Sequence, residues 1–150
     1  MIPIYAALKA ASLRPTASRV AVLKLFHACP NEHFSADQVY RRLSNEPEPC
    51  SLASVYRALS QLHDAELITG TSLGETRVIY ELNRGQQHNH LVCSRCGLIQ
   101  DAYDPDLELQ HAQMAADLNF LYLSSNVVIF GRCAQCSGSS AANKPPIRRS

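Results

Sequence analysis

The sequence carries almost no net charge, and this excludes a protein that binds nucleic acid through a uniformly basic surface. Lysine and arginine total 14 against 13 acidic residues in a chain of 150. Three of the basic residues lie in the final segment, so residues 1–136 hold 11 basic against 13 acidic residues. Because long-range attraction to phosphate depends on positive charge, any nucleic-acid surface must be a local patch.

The sequence also lacks a long apolar run, a basic start before its first apolar residues and a convincing cleavage site for a secretory signal. A membrane-spanning helix needs about 20 consecutive apolar residues, and a secretory signal begins with positive charge. We therefore expect a cytoplasmic protein with no membrane partner. Thiols stay reduced in that compartment, so the six cysteines are expected to serve metal or redox chemistry rather than a disulfide framework.

The composition is that of a folded chain with one ordinary core or two small ones. Hydrophobic residues make up 46% of the sequence and charged residues 18%, which gives no sign of wholesale disorder. Residues 137–150 are the exception, because they are rich in serine, alanine and proline. They are predicted to form a disordered tail.

Three helices with clear start signals are predicted before residue 68. Thr16 is expected to cap the first helix, and Ser35 with Gln38 forms a capping box at the start of the second. The two prolines of "NEPEPC" then interrupt the chain, and Ser51 is placed to cap the third helix, "SLASVYRALSQLHDAEL".

The third helix is predicted to bury one side and to expose a narrow face. Apolar residues recur at spacings of three and four and form one stripe: Leu52, Val55, Leu59 and Leu62. At about 100° per residue, Arg57 points away from this stripe, and Tyr56 and Ser60 lie along its flank. The segments "LIT", "GTSLGE" and "TRVIYEL" then predict a hairpin. Residues 1–82 thus indicate a winged helix-turn-helix domain.

The remainder of the chain predicts a second, smaller domain. Residues 83–87, "NRGQQ", are a short polar connection that is predicted to be a hinge. Residues 88–136 contain two strand patterns, a helix opened by Pro105 and a third strand, "NVVIFGRC". The predicted fold class is α+β, with a winged helix-turn-helix domain followed by a small α/β domain.

Two C-x-x-C pairs lie in the second domain, each near a glycine: Cys93 with Cys96, and Cys133 with Cys136. Such a loop directs two thiolates to one point at the ~2.3 Å that zinc requires, and two loops complete a tetrahedron. A zinc ion with four protein ligands has no open position, so its role would be structural. The alternative is two unrelated redox or buried cysteine pairs.

The histidines just before the first pair are assigned to a different site. Side chains two residues apart share a face of an extended segment, so His88 and His90 point the same way. Cys93 lies an odd number of residues further on and therefore faces the other side.

The chain resembles the ferric uptake regulator (Fur) family of bacterial metal-dependent repressors over residues 8–136. The resemblance rests on "LRPTASR", "HFSADQVYRRL", "SLASVYRALSQL", "YELNRGQQHNHLVCSRCG" and "GRCAQC", which occur in the family's order and spacing. It implies a homodimeric repressor in which a winged helix is joined by a hinge to an α/β dimerisation domain. It also implies that the protein is not an enzyme and has no catalytic residues.

The resemblance further implies a regulatory metal between the two domains, at His33, Glu81, His88, His90 and Asp101. Imidazole and carboxylate ligands without thiolate suit Fe(II), Mn(II) or Zn(II). Fe(II) is the expected corepressor, with Mn(II) or Zn(II) able to substitute. Iron sensors commonly carry glutamate at the position of Asp101, and an aspartate there resembles the peroxide-sensing branch. That branch also carries an aspartate at the position of Glu81, which is absent here. A manganese-, peroxide- or zinc-responsive repressor therefore stays open as the alternative.

Double-stranded DNA with a palindromic, A/T-rich operator is the implied partner. The recognition helix, residues 51–66, would enter the major groove, where Arg57 would pair with guanine or phosphate and Tyr56 would pack on a thymine methyl group. Arg19 and Arg14 are expected at phosphates or in a minor groove. Arg14 takes the place of a lysine that family members often carry at the next position, which is Pro15 here.

Other sites receive weaker predictions. Some family members bind a further metal at positions held here by Gln87, Asn89, Glu108 and Ser125, and no such site is expected because three probable ligands are missing. Glu108 with His111 could trap a surface metal weakly, but a solvated polar face is the simpler interpretation.

Cys29 and Cys50 are interpreted as small buried or neutral thiols. Of the two, Cys50 is expected to be the more reactive, because it precedes a helix N-terminus. A metal-dependent hydrolase is the alternative from a different class, since metal-bound water can be a nucleophile. It is disfavoured because five protein ligands leave little room for substrate.

Overall fold

The computed structural model describes residues 4–74 and 76–138. Most of the predicted tail lies outside the described residues. The chain divides into two compact units, Met1–Gln86 and Gln87–Ser150. The exact domain limits and the hinge at residues 83–87 stay predictions. Within the described ranges, no helix combines the length and the apolar character that a membrane span requires.

Within residues 4–74 and 76–86, the first unit contains four helices and a three-stranded antiparallel sheet. The helices are α1 (Ile4–Ala10), α2 (Ala17–Ala28), α3 (Ala36–Leu43) and α4 (Leu52–Asp64). The strands are β1 (Phe34–Ser35), β2 (Ile68–Ser72) and β3 (Val78–Leu82), in the order β1-β3-β2. Helices α3 and α4 with the β2–β3 hairpin form the predicted winged helix-turn-helix.

The three predicted helix starts are confirmed. The Thr16 side chain accepts a hydrogen bond from the backbone amide three residues on, and helix α2 begins directly after it. Ser35 and Gln38 form both hydrogen bonds of the capping box at the start of α3. Ser51 Oγ accepts from the Ser54 amide at 3.2 Å, which starts α4. Each cap satisfies a backbone donor that has no partner within its helix.

The buried stripe of α4 differs from the prediction at its first member. Val55, Leu59 and Leu62 are fully buried, but Leu52 is 41% exposed. Ala58, which is 1% exposed, completes the stripe instead. At about 100° per residue, the four buried residues centre on a direction roughly 70° from Leu52. Leu52 therefore lies at the border of the core-facing side.

The first unit has two elements that the sequence did not predict. Helix α1 spans seven residues, too few to show a helical period, and its Leu8 is fully buried in the core. Strand β1 spans two residues and is defined only by its pairing with β3, in which Phe34 lies opposite Tyr80. Both elements depend on contacts with distant parts of the chain.

The second unit has the predicted order of strands and helix. Strand β4 (Asn89–Cys93) pairs with β5 (Ile99–Ala102) antiparallel and with β6 (Val128–Gly131) parallel. Helix α5 (Pro105–Asp117) connects β5 to β6 and is capped by the Asp104 side chain. A short helix, α6 (Ala134–Ser137), follows. The α+β fold class is confirmed.

Candidate metal sites and DNA-binding surface

The four predicted zinc ligands come together in the second unit. Cys93 ends strand β4, Cys96 lies in the turn that follows, and Cys133 and Cys136 lie at the start of α6 and within it. The parallel pairing of β4 with β6 sets Cys93 opposite Gly131 and so brings the second pair beside the first. Gly97 closes the first turn with a φ of 74°, a conformation that favours glycine.

The sulfur geometry fits a tetrahedral zinc site. All four Sγ atoms lie within 4.8 Å of one another, and those of Cys96 and Cys133 are 3.7 Å apart. Four sulfurs at about 2.3 Å from one zinc ion would be separated by roughly 3.8 Å. The cluster therefore has the donor atoms and the spacing that zinc requires.

Two thiols of this cluster have pKa values shifted in opposite directions. Backbone amides, first that of Cys133 and then those of Cys96 and Arg95, lower the pKa of Cys93 to about 5. Side-chain contacts with Cys133 and then Cys96 raise the pKa of Cys136 to about 12. The Cys93 thiol therefore ionises readily, whereas the Cys136 thiol resists ionisation beside its neighbours. A cation would be needed to hold four thiolates together.

The first unit places a histidine beside a carboxylate. Because Phe34 is paired with Tyr80, His33 just before β1 lies next to Glu81 on β3. His33 Nε2 and Glu81 Oε2 are 3.3 Å apart, and the two side chains are 6% and 5% exposed. Two ligands at about 2.1 Å from one metal ion lie roughly 3.0 to 3.4 Å apart. The pair therefore has the spacing of two ligands of one cation.

The second unit places the other predicted ligands side by side. His90 on β4 is paired with Asp101 on β5. Asp101 Oδ1 lies 3.6 Å from His88 Nε2 and 4.0 Å from His90 Nε2. The two imidazole rings are 4.7 Å apart between centroids, as expected for side chains on one face. Nitrogen and oxygen donors of this kind suit a divalent transition metal.

The predicted DNA-binding residues lie on or near the exposed side of α4. Tyr56 is 49% exposed, and Arg57 is exposed beside it. Arg14 is exposed in the segment before α2. Burial, and second the electrostatic effect of Tyr56, raise the pKa of Tyr80.

Arg19 makes contacts that the sequence did not reveal. Its Nε donates to Gln61 Oε1 at 2.9 Å, and its NH1 donates to the carbonyl oxygen of Arg14 at 2.6 Å. Arg19 therefore ties α2 to α4 and to the loop that carries Arg14. Gln61 was missed because a single glutamine on a helix gives no signal of its partner.

The positions of the further family metal site lie around one small pocket, and one of them, Ser125, is hydrogen-bonded. Gln87, Asn89, Glu108 and Ser125 line one small pocket together with His111. Ser125 Oγ lies 3.1 Å from His111 Nδ1 and accepts from the Tyr122 hydroxyl at 2.9 Å. The expectation that no metal binds there stays a prediction.

The two remaining cysteines lie against the core of the first unit. Burial raises the pKa of Cys50. This direction agrees with the interpretation of Cys50 as a neutral thiol and weakens the case for its reactivity, because withdrawal from water outweighs the nearby helix N-terminus. Arg42 NH1 approaches Cys29 Sγ at 3.9 Å.

The sequence profile of the Ferric uptake regulator family matches residues 10–130. The chain belongs to this family. It is similar to the ferric uptake regulation protein of Bordetella parapertussis, with 36% identity over 129 residues that cover 86% of this chain and 93% of that protein.

Solved structures of Fur proteins share the fold. The ferric uptake regulator of Francisella tularensis with iron has a TM-score of 0.77 at 32% identity, over 83% of this chain and 95% of that one. The regulator of Pseudomonas aeruginosa with manganese has a TM-score of 0.74 at 28% identity, over 89% and 98%. Fur family members are transcriptional regulators rather than enzymes, and they act as DNA-binding dimers. The predicted family is confirmed, and the hydrolase alternative is set aside.

Proposed function

We propose that this protein is a dimeric, Fe(II)-dependent transcriptional repressor that controls iron uptake genes. The observation that carries the proposal is the distribution of metal donors in a Fur family chain. His33 pairs with Glu81 in the winged-helix unit, and His88 and His90 adjoin Asp101 in the other unit. We propose that both sets bind one exchangeable metal ion.

The donor set supports the choice of metal. Three imidazoles and two carboxylates suit Fe(II), Mn(II) and Zn(II), and a site without thiolate is a poor one for soft metals. The relatives named ferric uptake regulation protein favour Fe(II) among these. A manganese-, peroxide- or zinc-responsive repressor of the same family is the alternative, and it would use the same ligands.

We assign a structural Zn(II) to Cys93, Cys96, Cys133 and Cys136. The support is the spacing of the four sulfurs. Bound zinc would supply the positive charge that lets all four thiols ionise, and it would fasten α6 to the end of β4.

A second copy of this chain is proposed to cover the second unit. That unit exposes many large apolar side chains, and none of its α5 residues is buried. The most exposed are Tyr103, Leu109, Leu118, Phe120, Leu121 and Leu123. A surface of this kind marks an interaction site, and in a dimerising family the partner is an identical unit.

The proposed DNA interface is the exposed side of α4. In a twofold dimer, the two α4 helices would enter successive major grooves of a palindromic, A/T-rich operator. Arg57 would pair with guanine or phosphate, and Tyr56 would pack on a thymine methyl group. Arg14 would contact a phosphate or a minor groove, and Arg19 would position the Arg14 loop in addition to any phosphate contact of its own.

Metal binding is proposed to act through residues 83–87. A cation held by ligands from both domains would restrict their relative movement, whereas without it the hinge would leave the DNA-binding domains free. Allosteric coupling of roughly 1 to 3 kcal/mol would change DNA affinity about fivefold to a hundredfold. The protein would act in the cytoplasm, where the proposed operator DNA would be located.

Binding of a fluorescent DNA duplex by the apo protein tests this proposal. Fe(II), Mn(II) and Zn(II) would each be titrated without oxygen while DNA affinity and bound metal are measured. Fe(II) should raise the affinity about fivefold to a hundredfold. Activation by Zn(II) alone at low free concentration would contradict the iron assignment, and no metal effect at all would contradict the repressor mechanism.

The variant His90→Ala sharpens this test. It should bind DNA weakly at every metal concentration while keeping the zinc content and the dimer mass of the wild type. His27→Ala, a histidine on α2 outside both donor sets, is the matched control and should respond to metal normally.

A further inference from the structure

The exposed side of α4 begins with apolar groups. Leu52, Ala53 and Tyr56 are all exposed, and Leu52 and Tyr56 retain 41% and 49% of their accessible surface. Residues 52 and 56 lie about 40° apart around the helix, so they share one face. The first charged side chain of α4 is Arg57. The N-terminal turn therefore presents methyl groups, and the charged group follows beyond it.

The core-facing side of α4 is formed mainly by other residues. Val55, Ala58, Leu59 and Leu62 already form the buried side of α4. At 41% exposure, Leu52 forgoes a substantial part of the free energy that full burial of a leucine contributes to stability. A single exposed leucine is ordinary on a protein surface. The position of this one is what matters, because the N-terminal residues of a recognition helix are those that reach base edges.

The chemistry of the major groove identifies the complementary group. Thymine is the base that projects a methyl group there, and apolar side chains recognise it by contact. We propose that Leu52 recognises a thymine methyl group in the operator, on a different base from the thymine contacted by Tyr56. This inference rests on the proposed function, because it requires α4 to enter the major groove.

The dimensions of helix and DNA separate the two contacts. Four residues of α-helix rise about 6 Å, and successive bases are spaced about 3.4 Å apart along the DNA. With α4 lying along the groove, Leu52 and Tyr56 face different bases, roughly two steps apart. Leu52 would then add a second preferred thymine to each half-site.

Removing single methyl groups from DNA tests the inference. The metal-loaded full-length protein first selects a duplex from a random-sequence pool. Each thymine of that duplex is then replaced by deoxyuridine, which lacks the 5-methyl group but keeps the same base-pairing edge. Affinities of the wild type and of Leu52→Ala are measured for every substituted duplex.

One thymine in each half-site should report on Leu52. Replacing this thymine with deoxyuridine should weaken wild-type binding about fourfold, the effect of losing one buried methyl group. The same replacement should leave the affinity of Leu52→Ala unchanged. Tyr56→Ala should show the same insensitivity at a different thymine. The control is Val78→Ala, which shortens a side chain of similar exposure, 40%, on strand β3. It should lose affinity for each substituted duplex by the same factor as the wild type.

Equal losses for wild type and Leu52→Ala at every thymine would overturn the inference while leaving the proposed function intact. If Leu52→Ala fails to bind any duplex, Leu52→Val provides the same comparison with a smaller expected difference. If the metal-loaded protein retains no duplex, the proposed function fails and the inference falls with it.

Discussion

At the residue scale, the surroundings of each cysteine separate thiols that look alike in the sequence. Cys96 is exposed, yet its Sγ lies 3.7 Å from that of Cys133 in a group of four. Cys50 is half-buried against the core of the first unit, and burial raises its pKa. The first position fits metal binding, and the second favours a neutral, unreactive thiol.

Replacing a zinc ligand should disturb the second unit as a whole. Cys96→Ser is expected to abolish the tightly bound zinc and to lower the melting temperature of that unit by more than about 10 °C, because zinc binding contributes directly to folding. Zinc content and circular dichroism during heating measure the effect. Cys29→Ser is the matched control and should keep both properties. A normal zinc content in Cys96→Ser would show that the four-cysteine assignment is wrong.

Cys50 should react slowly with alkylating agents at neutral pH. A raised pKa means that less thiolate is present at a given pH than in an ordinary cysteine, so the rate should continue to rise above the usual thiol range. Iodoacetamide labelling of the zinc-loaded Cys29→Ser variant, followed by mass spectrometry across pH, measures this. Rapid labelling of Cys50 near pH 7 would contradict it.

At the element scale, helix α4 combines a start signal, a buried side and a functional side. Ser51 caps its N-terminus, and Val55, Leu59 and Leu62 pack into the core. The side chain of Gln61 accepts a hydrogen bond from Arg19 and so fixes α4 to α2. The exposed residues are thereby held on a helix that is anchored along its length.

Loss of the α4 cap should destabilise the first unit. Ser51→Ala is expected to lower the free energy of unfolding by about 1 kcal/mol, because the Ser54 amide loses its acceptor. Urea denaturation followed by circular dichroism measures the shift in midpoint. Ser60→Ala, an exposed serine within the same helix, should change stability by less than about 0.5 kcal/mol. Equal midpoint shifts for the two variants would argue against the capping role.

At the scale of the whole molecule, the two units differ in how they bury apolar side chains. The first has a core in which residues of α1, α2, α3, α4 and β2 are fully or nearly fully buried. Among the described hydrophobic residues of the second, only Val92 and Cys93 reach that degree of burial. A sheet and a helix that remain so exposed need a partner surface.

A charge on α5 should break the proposed dimer. Leu109→Glu is expected to weaken self-association on the order of tenfold or more, since a carboxylate would have to lose water in an apolar interface. Sedimentation equilibrium measures the association, and DNA affinity should fall with it. Gln110→Glu adds the same charge at a neighbouring exposed position and should remain dimeric. A Leu109→Glu protein with unchanged association would place the interface elsewhere.

The sequence by itself determined the features that depend on neighbours a few residues apart. Thr16, Ser35 and Ser51 cap helices because each accepts from a backbone amide only three residues on. Likewise, the two-residue spacing within each C-x-x-C pair is that of a local turn. Such patterns can be read without knowing where the rest of the chain lies.

The tertiary structure decided what depends on distant segments. The sequence could not show that Phe34 pairs with Tyr80 or that Arg19 meets Gln61. It also placed Leu52 in the buried stripe, whereas the packing of the unit leaves that residue exposed. Burial is a property of the surfaces that meet, and these come together only when residues far apart in the chain are packed.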